Sequence, residues 1–263
     1  MTNNSPKSYF PIFLWSLKLG AISNLLFLVL TFRSPWMSAP PAVLLPARII
    51  FLVSTYRCLF PVRYKDQIVF HDSPISSIFL TRFLATFAEI ALIYQLSYVL
   101  RAANQAQIGW VETLSWIMVF QVIISQFFVW GSILSGNQML FFYEEIGWAI
   151  IYFINTTLSL FLYANGGSGE NFTSLIILNI LFGIFYLPWQ YFHLRSLSRS
   201  AMEQNQAFSR SPSQLLDGLR RSIQIKNPSQ EPAAWGGLLG VVWMAAYWAA
   251  VIPVWVFIIL SRF

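Results

Sequence analysis

Residues Ile75–Leu100 read ISSIFLTRFLATFAEIALIYQLSYVL. Only Arg82 and Glu89 carry formal charge in this stretch. A helix crosses the hydrocarbon of a bilayer with about 20 largely apolar residues, so this segment is long enough to span. Asp72-Ser73-Pro74 stands just before it and predicts an N-cap followed by proline at the helix start.

Six further stretches share this character: Phe10–Phe32, Pro41–Pro61, Ile108–Leu134, Met139–Ala164, Phe172–Leu194 and Ala234–Leu260. The chain has 263 residues, of which 57% are hydrophobic and 10% charged. Soluble domains hold about 25% charged residues, and a soluble fold of this length has no means of hiding so much apolar surface. The expected fold is therefore all-α, a polytopic transmembrane bundle of about seven helices, with 1–263 forming a single integral membrane domain. The first stretch is too long for a signal-peptide core and lacks a small-residue cleavage site, so it is expected to stay as a span.

Ser135-Gly136-Asn137-Gln138 leaves room only for a tight helical hairpin between spans four and five. Pro46, Pro188 and Pro253 fall inside spans and are expected to kink them. With seven spans the termini lie on opposite sides. One side receives Lys7, Arg63, Lys65, Arg195, Arg199, Arg210, Arg220, Arg221 and Lys226, the other Arg33, Arg101 and Arg262. Basic loops stay in the cytoplasm, so the N-terminus is expected there and the C-terminus on the external or lumenal side. Residues 195–233 form the one substantial loop. Within it Leu215, Leu216, Leu219 and Ile223 recur at helical spacing beside Arg220 and Arg221. One reading is an amphipathic helix on the membrane surface, the other a solvated linker.

Ionisable residues inside a span are expensive, and each is a candidate for function. Arg82 and Glu89 lie seven residues apart, so two helical turns bring them to one face, with Glu89 near mid-membrane. A lone carboxylate at that depth is either protonated or paired. It serves as a proton-carrying group or forms an ion pair with Arg48 or Arg82. Glu144 and Glu145 open span five in FYEEIGW, Phe142–Trp148. Neighbours on a helix point about 100° apart, so one faces the bundle and the other a neighbour or the interface. The candidate catalytic residues are Glu89, Glu144 and Glu145. The candidate binding residues are Arg48, Arg57, Arg82, Trp148 and His193.

No metal site is expected. His71 and His193 are the two histidines, and no HxxxH or ExxH spacing exists. Cys58 stands alone, so no disulfide or CxxC motif forms within the chain. Walker A, GxGxxG and GxSxG sequences are missing, and no cofactor is implied. The net charge of +6 gathers at membrane edges, which points to anionic headgroups and orientation, not to nucleic acid. The expected partners are the lipid bilayer and a lipophilic small molecule, with other membrane subunits as a further class. Three functions fit. The first is a small membrane enzyme acting by acid/base chemistry on a lipophilic substrate. The second is a transporter or channel for a proton or small ion. The third is a non-catalytic subunit of a membrane complex.

Overall fold

The structure, a computed structural model, describes residues 10–33, 35–64, 67–166, 169–204 and 212–263. Six long helices follow one another: α1 Phe10–Leu30, α2 Pro41–Leu59, α3 Ile78–Ala103, α4 Gly109–Ser135, α5 Gln138–Ala164 and α6 Gly169–Gln204. A short helix α7, Pro212–Gln224, comes next. The last span is composite, with α8 Gly237–Ala246, a π turn Tyr247–Val251 and α9 Ile252–Leu260. Among the described residues seven helices are long and apolar enough to cross a membrane. The chain is an all-α, multi-pass membrane protein.

Its burial pattern is that of a protein dissolved in lipid. Phe127 and Phe185 point outward with 74% and 76% of their surface free, while Asn24, Arg82, Glu89, Gln95, Gln126, Glu144 and Asn155 are buried. Water would reverse that arrangement; lipid rewards it. From α1 to α6 each span packs against the next in sequence. Small residues bring the backbones close: a side chain at Gly147 of α5 would collide with Ser125 of α4, and one at Gly183 of α6 with Thr156 of α5. The last span returns to α1 and α2 and makes fewer close backbone approaches to α6. A seam between α6 and the last span follows from that topology.

Several boundaries differ from the expected ones. Ser73 caps only a short 3-10 turn, Pro74–Ser76, through Ile75 N–H, and α3 starts at Ile78 with Ser77 accepting from Leu80 N–H. Asp72 faces Lys226 instead, Oδ1 to Nζ at 3.5 Å. α6 runs 36 residues, about 54 Å at 1.5 Å per residue, well past Leu194. Its final turns therefore stand clear of the hydrocarbon and take up the first part of the expected loop. Pro46 and Pro188 sit within continuous helices. Pro253, which has no N–H for the ladder, is the second residue after the π turn, where the chain absorbs the missing bond. The hairpin between α4 and α5 is as tight as expected, with Gly136 at φ 76° as C-cap and the Asn137 side chain accepting from Met139 N–H.

Loops too short to show in a hydropathy profile form a small sheet. β1, Val62–Arg63, pairs antiparallel with β2, Ile68–Val69, and β2 pairs parallel with β3, Asn227–Pro228. This ties the loop after α2 to the loop before α8, and Trp235 Nε1 donates to the Ser229 carbonyl at 3.0 Å. The sheet, the hairpin and α7 share one end of the bundle. Arg63, Arg195, Arg199, Arg220, Arg221 and Lys226 lie there too, so this end is the basic face. α7 docks under α4 and α3, where Gly218 meets the Leu134 carbonyl so closely that any side chain would collide.

Candidate functional site

The buried charges converge on one compartment in the basic half of the bundle. Arg82 sits one turn into α3, held by helix geometry on the same face as Glu89. Its Nη1 donates to Glu89 Oε1 at 2.9 Å and its Nη2 to Oε2 at 2.6 Å, a two-pronged ion pair with both side chains nearly sealed. Gln126 of α4 closes the group: its Oε1 accepts from Arg82 Nη2, and its Nε2 donates to Glu89 Oε2 at 3.1 Å. Thr86, between the two charges, accepts from Trp130 Nε1 of α4 at 3.1 Å. Glu89 is thus paired by Arg82.

Glu144 is different. It is 4% exposed, and its Oε1 accepts from Trp148 Nε1 at 3.0 Å across one turn of α5. Its Oε2 is buried with no hydrogen-bond partner. Arg82 is within electrostatic reach but already committed to Glu89. Gly147 lets α4 press close on this part of α5.

Rings surround it. Trp148 stacks toward Tyr152 with centroids 6.1 Å apart, and Tyr152 meets Tyr186 of α6 at 4.5 Å. From Tyr186 the contacts run to Trp189 at 5.7 Å, across the seam to Trp243 of α8 at 5.0 Å, and on to Tyr247 at 6.1 Å. Tyr247 and Trp248 belong to the π turn; the Trp248 ring is buried and Tyr247 partly so. Trp189 and Trp243 are about half exposed, so on the basic half rings rather than backbone bridge the seam.

Glu145 points the other way, toward α6. Gln190 Nε2 donates to its Oε2 at 2.9 Å and to its carbonyl at 2.8 Å. His193 Nε2 lies 3.8 Å from Oε1 and stacks on Trp189 at 4.9 Å. Arg57, in the last turn of α2, lies beside Trp248 and Tyr64.

The structure therefore brings Arg57, Arg82, Glu89, Glu144, Glu145, Trp148 and His193 to one half of the bundle. Arg48 lies apart: its guanidinium donates to the Thr31 carbonyl at 2.8 Å at the far end of α1 and covers the Phe32 ring. It closes the frayed end of α1, and the alternative pairing of Glu89 with Arg48 does not form. Lys18 is exposed on α1 above Trp15. Residues not singled out in the sequence complete the compartment: Gln126, Tyr64, Tyr152, Tyr186, Gln190, Tyr247 and Trp248. Among the described residues no three His, Cys, Asp or Glu side chains gather as a metal would require. Comparison with protein-family models, curated proteins and solved structures finds no match to this chain.

Chemically, the compartment offers one carboxyl group with a free oxygen, three tyrosines and apolar ring faces. A second carboxyl, Glu145, follows it on α5 and lies next to His193.

Proposed function

We propose that this protein is a small membrane enzyme that binds a lipophilic molecule in the aromatic compartment and acts on it by acid/base chemistry, with Glu144 as the proton donor. The observation that carries the reading is the buried Oε2 of Glu144, without a hydrogen-bond partner, within a layer of aromatic rings. Burying an unpaired carboxylate costs several kcal/mol, whereas the neutral acid is tolerated and has a proton to give.

The roles follow from position. Trp148 orients the acid through its indole N–H. Arg82, Glu89 and Gln126 form a closed ionic group that fixes α3 against α4 and sets the field in which the proton moves. The faces of Tyr152, Tyr186 and Tyr247 favour positive charge developing on the substrate. Glu145, the next residue on α5, and His193 beside it are both partly exposed and suit exchange of the proton with water. A proton added at one substrate atom and lost from another needs no co-reactant. The seam between α6 and the last span gives a route from the bilayer, past Trp189 and Trp243. The Lys and Arg distribution supports a cytoplasmic basic face and N-terminus.

The test is turnover. Protein reconstituted in liposomes with a lipid extract of its source membranes is compared with Glu144→Gln by mass spectrometry of the lipids. A product formed by the native protein and lost in Glu144→Gln supports the reading. No lipid change, together with proton flux into the liposomes, identifies a conducting protein instead.

A further inference from the structure

Arg57 is 5% exposed, yet its Nε and Nη1 have no hydrogen-bond partner. Its Nη2 reaches only the Val62 carbonyl, at a long 3.4 Å. Among the described residues no carboxylate forms an ion pair with it; the pairs that do form use Arg82, His193, Arg220 and Lys226. The guanidinium is flanked by two rings, Tyr64 with its centroid at 5.4 Å and Trp248 at 5.0 Å. Arg82 approaches the same Tyr64 ring at 5.9 Å and keeps its own Nε unpartnered.

Among the described residues the other buried guanidinium in this half of the bundle, Arg82, has the Glu89 carboxylate as its partner. Arg57 has no such partner among them. A guanidinium does not shed its proton, so burial cannot be relieved by neutralisation. Ring faces compensate only part of the lost hydration. A cation kept dry with two donors unused lacks an anion, and the planar fork fits the paired oxygens of a phosphate or carboxylate.

We infer that Arg57 is the binding group for an oxyanion, phosphate or carboxylate, carried by the ligand of this compartment. Trp248 joins Arg57 to Tyr247 and so to the row of rings that ends at Trp148, beside Glu144. An amphiphile with its oxyanion on Arg57 has its apolar part among these rings. The placement of that tail rests on the proposed function; the anion site itself rests on Arg57 alone.

Binding tests it. Full-length protein in a neutral maltoside detergent is titrated with dodecyl phosphate, dodecanoate, dodecanol or inorganic phosphate, and thermal unfolding is followed. The expected result is a rise in midpoint with dodecyl phosphate or dodecanoate and none with dodecanol. In Arg57→Met the affinity falls by about tenfold or more, the size expected for a lost charge-assisted hydrogen bond. The empty Arg57→Met protein melts at or above the native midpoint, because an uncompensated cation has been removed. Inorganic phosphate binding as tightly as the alkyl phosphate supports the site and identifies a free anion; much weaker binding supports it and identifies an amphiphile. An equal shift with dodecanol, an unchanged shift in Arg57→Met, or a destabilised empty Arg57→Met overturns it. Oxyanion binding without any lipid turnover leaves this site standing and removes the acid/base reading. Turnover that depends on Glu144 without oxyanion binding does the reverse.

Discussion

Arg82 and Glu89 pair along a single helix, two turns apart, with both carboxylate oxygens engaged at 2.9 and 2.6 Å. Such a pair is inexpensive while intact and costly once halved. Removing one partner from a buried pair costs about 3–5 kcal/mol, while replacing both with apolar groups is often neutral. Arg82→Met and Glu89→Leu should each lower expression and the melting temperature in detergent. The double variant should recover most of both. If it folds yet supports no turnover, the pair acts on the chemistry through the field at Glu144 as well as on packing.

Trp189 and Trp243 are the rings that bridge the seam, at 5.0 Å and nearly parallel. A double-mutant cycle on Trp189→Ala and Trp243→Ala should give a coupling of about 0.5–1.5 kcal/mol, the range for stacked aromatic pairs. Either single variant should also speed exchange of a bound lipid with liposomes, followed by native mass spectrometry. Unchanged exchange would place the ligand route elsewhere.

Gly218 is pinned against the Leu134 carbonyl. Gly218→Val should push α7 off the end of α4, at about 1–3 kcal/mol for overpacking. Hydrogen exchange should rise over residues 212–224 and stay unchanged in α5. Protection of α7 equal to that of the native chain would show that the docking is dispensable.

Orientation is open to a labelling test, because Cys58, the one cysteine, is buried. An impermeant maleimide added to intact cells should label Ala106→Cys, in the loop between α3 and α4. Gln224→Cys on the basic face should react only after permeabilisation. The opposite pattern would invert the topology.

The seven spans were legible in the sequence because hydropathy over about 20 residues is a sum of many weak signals that agree. The Arg82–Glu89 pairing was within reach for a similar reason, since a separation of seven residues fixes a common face. The rest depended on single contacts. Gln126 carries no charge and does not stand out in α4, though it completes the ionic group. Tyr152, Tyr186 and Tyr247 are hidden among 24 Phe, 11 Trp and 11 Tyr, where no ring looks special. Two-residue strands have no period to detect, so the sheet over the basic face was invisible. Arg48, well inside span two, and Arg57, nearer its cytoplasmic end, both read as binding residues. Only the packing shows that one closes the end of α1 and the other lies dry beside Trp248.

The account turns on Glu144, and the most direct measurement is lipid conversion by native protein and by Glu144→Gln at equal amounts in liposomes. The carboxamide keeps an oxygen for the Trp148 N–H and nearly the same volume, so the variant should fold with a stability within about 1 kcal/mol of native. Its conversion rate should fall by about 100-fold or more, the usual contribution of a positioned general acid. Conversion at the native rate in a folded Glu144→Gln protein would contradict the account.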